Sequence, residues 1–237
     1  DCLLSRGLGD VYKRQIALMA IFGPMISPYS YDGMDTAIMN QRPSTAHWFG
    51  TDRFGRDLFT RVLYGARISL MVGIVTAVIN TIIGVIYGGI AGYVGGRVDM
   101  WMMRLTDILY SIPELLYIIL IMLIFGSNVR SIIIGVCVAG WISMARMVRS
   151  QIITLKEQEF ALAAFVLGAN SRRILFKRLI VNSLGTIIVT VTLMIPQAIF
   201  MEAFLSFVGV GISAPMASLG TLAQDCLLYT SDAADEL

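Results

Sequence analysis

Charge is the scarcest property of this chain. Only 14% of its 237 residues are Asp, Glu, Lys or Arg, while 57% are hydrophobic. Soluble domains carry roughly 25% charged residues. The shortfall excludes an ordinary soluble domain and predicts a polytopic membrane protein. Histidine is reduced to His47, which argues against a histidine relay, a His-rich metal site or an intramembrane enzyme. No Gly-x-x-x-x-Gly-Lys-[Ser/Thr] loop is present, so the chain lacks the means to cradle a nucleotide phosphate. Cysteine numbers three, too few for a disulfide framework. The net charge of +2 carries no message about nucleic acid.

What is present comes in apolar runs. Ile16–Ile26 is too short to cross a ~30 Å hydrocarbon core, which takes about 20 residues. It reads as half a helix, closed by Pro24 and Pro28. Ile68–Val94, Met100–Phe125, Ile132–Met147 and Leu179–Phe207 read as spans, the second kinked at Pro113 and the last holding Pro196 and Glu202. Residues 29–67 read as a polar outer loop and Gly209–Gln224 as a Gly/Pro/Ser loop. The fold class expected is all-α, a polytopic membrane helical bundle. A secondary transporter would predict inverted repeats, and none is visible.

Both tails look foreign. Asp10-Val-Tyr-Lys-Arg-Gln15 and Cys226-Leu-Leu-Tyr-Thr-Ser231 can be encoded by opposite strands of one short DNA. The pair resembles translated sequencing-adapter DNA. Residues 1–15 and 226–237 are therefore set aside as expected artefacts, leaving 16–225 as the domain and Cys137 as its cysteine.

Between the last two spans lies a polar break, residues 148–178. It holds Arg149, Lys156, Arg172, Arg173, Lys177 and Arg178 against Glu157 and Glu159. The excess of cations places it in the cytoplasm and the 29–67 loop outside. Glu157 and Glu159 suit a helix N-terminus. Phe160, Ala163, Ala164 and Leu167 recur at helical spacing. Gly168 suits a left-handed helix end, and Asn170 or Ser171 suits the cap of a second helix. Helix, glycine turn, helix is the expectation. Two readings stay open: a helix lying on anionic lipid, or one docking in a protein groove.

The run Glu159-Phe-Ala-Leu-Ala-Ala-Phe-Val-Leu-Gly168 resembles the coupling loop of ATP-binding-cassette importer permeases, whose signature is Glu-Ala-Ala, three residues, Gly. The outer loop His47-Trp-Phe-Gly-Thr-Asp-Arg-Phe-Gly-Arg-Asp57 is similar to that of the C-type permease of dipeptide, oligopeptide and nickel importers. So are Gly92-Tyr-Val-Gly-Gly-Arg-Val-Asp99, the run from Trp141 to Arg149, and Glu202-Ala-Phe-Leu-Ser-Phe-Val-Gly-Val-Gly211. The resemblance covers residues 16–225. Leu162, Phe165 and Val181 depart from the Glu, Arg and Pro usual at those positions.

The resemblance implies a type I importer transmembrane domain, with the first of six helices partial and the sixth missing. It implies a second, B-type permease, two cytoplasmic ATPases and an extracytoplasmic binding protein as partners. ATP and Mg would sit on the ATPases and no cofactor on this chain. Glu159, Phe160, Ala163, Ala164, Leu167 and Gly168 would form the ATPase-coupling site. Cargo would be a dipeptide or oligopeptide, or alternatively nickel or another small solute.

Glu202 and Asn80 are candidate pathway-lining residues, because intramembrane polar groups are costly and often functional. A buried interhelical hydrogen bond is the competing reading of Glu202. Asp107 is expected to pair with Arg104. Asp52 and Asp57 are expected to form local ion pairs with Arg53 and Arg56 rather than a calcium site.

Overall fold

A computed structural model of the protein describes residue 15, residues 17–212 and residues 215–235, with side chains through residue 227. The expectation for the N-terminal tail, Gln15 apart, lies outside the described residues. Every regular element among the described residues is helical.

The first helix, α1, covers Ala17–Ile26 and is the expected short apolar piece. Helix α2 (Leu58–Val94) and helix α5 (Val129–Lys156) are long and apolar enough to cross a membrane, as is the continuous helical run Ser171–Phe207. That run comprises α7 (Ser171–Ile174), a π-helical stretch over Leu175–Leu179, and α8 (Ile180–Phe207). Helices α3 (Gly96–Tyr110) and α4 (Glu114–Phe125) form a span broken by a 73° bend. The eight-residue α6 (Glu159–Val166) sits in the polar break, and α9 (Leu219–Asp235) closes the described chain.

Several boundaries differ from the sequence reading. Helix α2 begins ten residues before Ile68, and its first turns take in a charge that is paired. Arg61 is buried and bonds Asp52 at 2.5 Å. The Met100–Phe125 span is two helices, not one kinked helix. Pro113, with no N–H, occupies the N-cap position of α4. Residues 148–156 extend α5 rather than opening the break.

The expected loop through Gln224 is also corrected, since its last six residues are helical. Helix α9 starts at Leu219, where Ser218 and Thr221 exchange cap bonds: the Ser218 N–H reaches Thr221 Oγ1 at 2.8 Å, and the Thr221 N–H reaches Ser218 Oγ at 3.3 Å. Such reciprocal capping satisfies donors that a helix start leaves open.

The chain divides into two packed units. One takes in residues 1–72, 127–129 and 199–237, the other 73–126 and 130–198.

In the first unit the outer loop is a tied lobe. Asp52 accepts from the Arg56 and Phe54 N–H groups and from the Arg56 and Arg61 guanidiniums. Burial alone would raise the Asp52 pKa. These donors outweigh it and hold the carboxyl below its ordinary value. Asp57 pairs with His47 Nδ1 at 3.0 Å and accepts from Thr60 N–H and Oγ1 at 2.8 and 2.6 Å. Asp52 thus takes Arg56 as expected, but Asp57 takes His47 and Thr60. Among the described residues no group of three or more His, Cys, Asp or Glu could hold a metal ion.

In the second unit α2 and α5 pack along a seam of glycines. A Cβ on Gly84 would lie 2.6 Å from Met144 Cβ, and one on Gly88 2.1 Å from the Ala145 carbonyl oxygen. One on Gly92 would lie 2.8 Å from the Arg149 carbonyl oxygen, and one on Gly140 2.5 Å from Asn80 Nδ2. In lipid, helices associate largely through such close van der Waals contact, since the solvent is as apolar as the side chains.

Candidate functional site

The site is built on the second unit's core. Val148 and Ile152 of α5, Ala161 of α6, Ile174 of α7, Leu175 and Leu179 of the π stretch, and Ile187 of α8 are buried together. Ala164 and Ala169 pack against this cluster. The small side chains at 161 and 164 let α6 lie flat on the ends of the two spans.

Helix α6 ends as its glycine demands. Gly168 has φ +78°, a conformation in which a Cβ would be strained. The Gly168 N–H bonds the Phe165 carbonyl and the Ala169 N–H bonds the Ala164 carbonyl, both at 3.0 Å. This is the paired closure of a Schellman turn. Asn170 then caps α7, accepting from the Arg172 N–H at 3.4 Å.

With Ala161 and Ala164 turned inward, α6 presents an apolar crest outward. Leu162 is 55% exposed, Phe165 69%, Val166 83% and Leu167 85%. Ala163 and Gly168 are exposed beside them, as is Glu159 in the first turn, and Phe160 is partly exposed. Of the residues singled out in the sequence, Glu159, Phe160, Ala163, Leu167 and Gly168 therefore lie on the accessible surface. Ala164 is a packing residue. The sequence face drawn through Ala163 and Ala164 leaves out Leu162, Phe165 and Val166, the first two of which it reads only as departures from the family pattern. The smaller residues at three-residue spacing, Ala161 and Ala164, were the signal that fixes which side turns in.

Salt bridges brace the neighbouring helices. Arg149 of α5 grips Asp99 of α3 through two parallel bonds, with Nη2 to Oδ2 at 2.5 Å. Arg146 bonds Asp107 at 2.9 Å and stacks over Tyr110 at 4.5 Å. The expected Asp107–Arg104 pair is thus replaced by a contact 39 residues distant in sequence. Lys156 donates to the Tyr93 carbonyl at 2.6 Å.

The two pathway candidates are both inside the protein. Glu202 is fully buried in the first unit, its oxygens accepting from Ser69 Oγ at 2.7 Å and Ser206 Oγ at 2.8 Å. Asn80 is 3% exposed in the second unit and faces Gly140, with its Oδ1 unpaired. Trp141 is buried, edge-on to Tyr87 at 4.8 Å, whereas Trp101 is 69% exposed.

These features define a polytopic α-helical membrane protein with a short helix seated on the ends of two spans and an apolar crest exposed on it. The chain belongs to the family of binding-protein-dependent transport system inner membrane components, whose profile matches residues 84–225. It is 50% identical over 212 residues to the oligopeptide transport system permease protein OppC of Bacillus subtilis, covering 90% of this chain and 70% of that one. It is 51% identical over 210 residues to the dipeptide transport system permease protein DppC of the same organism, covering 89% and 66%. OppC of Escherichia coli K12 is 47% identical over 212 residues, covering 89% and 70%. The chain thus spans about two thirds to seven tenths of these relatives' length. It is a multi-pass cell-membrane protein and a membrane-spanning transport component.

Proposed function

We propose that this chain is the C-type permease subunit of an ATP-driven peptide importer and that α6 is its contact with a cytoplasmic ATPase. The observation that carries the contact is the exposed apolar crest of α6. Four large apolar side chains stand clear of the protein on and just after a helix whose other side, at Ala161 and Ala164, packs on the core. Leaving such a patch in water is unfavourable, and apolar patches of this kind mark interaction sites.

The cargo reading rests on the relatives, which are oligopeptide and dipeptide permeases at about half identity over nearly all of this chain. ATP and Mg would be held by the ATPases, and an extracytoplasmic binding protein would deliver the peptide.

A second permease is supported by α8. In the apolar 18-residue stretch of Ser171–Phe207 only 17% of the residues are buried, against 44% in the corresponding stretches of α2 and α5. It also exposes Thr186 and Gln197, polar groups that lipid does not satisfy. A second helical subunit, or the pathway between the two, would cover them. We also read residues 16–225 as the transport domain and the two tails as foreign. The family match ending at residue 225 supports this, although α9 runs on to Asp235.

The test is co-purification of the full-length permease pair with its ATPases. Ala163→Arg places a charge on the exposed crest without entering the core. Loss of ATPase from the complex, with the permease pair intact, is expected. Retention of the ATPase together with peptide-stimulated ATP hydrolysis would refute the contact.

A further inference from the structure

The polar break carries two surfaces of opposite character, and only the apolar one is absorbed by the proposed ATPase contact. The other is basic. Arg172, Arg173, Lys177 and Arg178 are four cations in seven residues, all exposed, with Phe176 exposed among them. No ion pair engages any of the four among the described residues. The contrast with α5 is sharp: there Arg146 and Arg149 are paired with Asp107 and Asp99, and Lys156 is bonded to a carbonyl.

Their position is also electrostatically unfavourable. They stand at the N-terminal end of a 37-residue helical run, where the helix dipole repels cations. Neither intrachain pairing nor the dipole accounts for them.

We infer that this segment is a docking surface for anionic phospholipid headgroups of the inner leaflet. Three observations select a membrane over a protein groove. The helix passes through the π stretch into α8 without a break, so the cations lie within about 12 Å of Ile180 at ~1.5 Å per residue. Exposed apolar surface begins immediately after them, at Val181 and Leu184, which marks the hydrocarbon boundary. Phe176, between the cations, matches the pattern of an interfacial anchor, in which basic side chains meet phosphates and an aromatic enters the acyl boundary. Clusters of four or more Lys and Arg beside a span bind anionic lipid electrostatically.

The break would then be divided. Helix α6 faces the ATPase and α7 holds the same hairpin to the bilayer. The lipid surface depends on the cytoplasmic orientation of the break but not on the cargo or on the ATPase contact, and its readout is separate from transport.

The experiment uses the full-length permease pair with its ATPases in bicelles carrying photoactivatable phosphatidylglycerol or phosphatidylcholine. Crosslinked peptides are quantified by mass spectrometry. Phosphatidylglycerol is expected to label residues 171–180 at least tenfold more than phosphatidylcholine. Arg172→Gln with Lys177→Gln should remove most of that preference, each cation contributing roughly five-fold. Raising salt to about 0.5 M should erode it in the unaltered protein, which needs no variant to fold. Arg130→Gln, on the opposite side of the membrane, should change nothing.

Equal labelling by the two lipids, or an unchanged preference in the double variant, would overturn the inference. So would labelling of the permease pair that vanishes when the ATPases assemble, since the cations would then belong to the protein interface.

Discussion

Replacing Gly88 by alanine should loosen the α2–α5 seam. The added Cβ would stand 2.1 Å from the Ala145 carbonyl oxygen and about 3 Å from its carbonyl carbon and Cα. Ordinary van der Waals contact begins at 3.4 Å, so the helices must part by more than 1 Å at that point. The obstruction is backbone, which cannot rotate aside as a side-chain tip can. Gly84, Gly92 and Gly140 make further close contacts on the same seam, at 2.6, 2.8 and 2.5 Å, so a local separation is shared along its length.

Overpacking of this kind costs about 1–3 kcal/mol. Alanine's better helix propensity returns about 1 kcal/mol. A net loss of up to about 2 kcal/mol follows from these two terms, and a deficit of about 1–3 kcal/mol against a glycine-to-alanine change made without a clash. The natural control is Gly185 on α8, whose Cβ would meet nothing within 4 Å. Gly185→Ala should be neutral or slightly stabilising. Thermal unfolding of the full-length protein in one detergent, followed by circular dichroism, compares the two variants. Equal stability of Gly88→Ala and Gly185→Ala would refute the seam argument.

Two further outcomes follow from the buried polar groups. Asp52 has a lowered pKa in the folded lobe, so its contribution to stability is complete above the ordinary value of 3.8 and is lost as pH falls below that through the lower folded value. Acid titration of lobe proteolysis should show onset below about pH 4, and an Asp52→Asn variant should lack that acid-dependent component. Ser69→Ala removes one of two hydroxyls bonded to Glu202 and should cost about 1 kcal/mol without altering the peptide preference of the full transporter. A changed preference would return Glu202 to the pathway.

Much of the cytoplasmic hairpin was legible because local chemistry dictates it. Gly168 needed a positive φ and Asn170 could cap. The orientation of α6 was not legible, since three- and four-residue spacings through Ala163 and Ala164 fit two faces equally until α5 and α7 decide which is covered. Arg61 and Arg67 seemed to end the second span, but the Asp52 that neutralises Arg61 lies in a loop whose path periodicity does not reveal. Arg146 and Asp107 are 39 residues apart, while Arg104 was a neighbour on the same helix, and proximity in sequence favoured the wrong partner. The start of α9 was legible in principle from Ser218 and Thr221, but the surrounding Gly and Pro masked it.

The brevity of α6 has a mechanical consequence. Eight residues are too few for a helix to hold itself in water, so its shape is borrowed from the ends of α5 and α8 beneath it. It cannot store or relay a change of its own. It is a rider rather than a spring, and whatever tilts it must first shift the two spans on which it is seated.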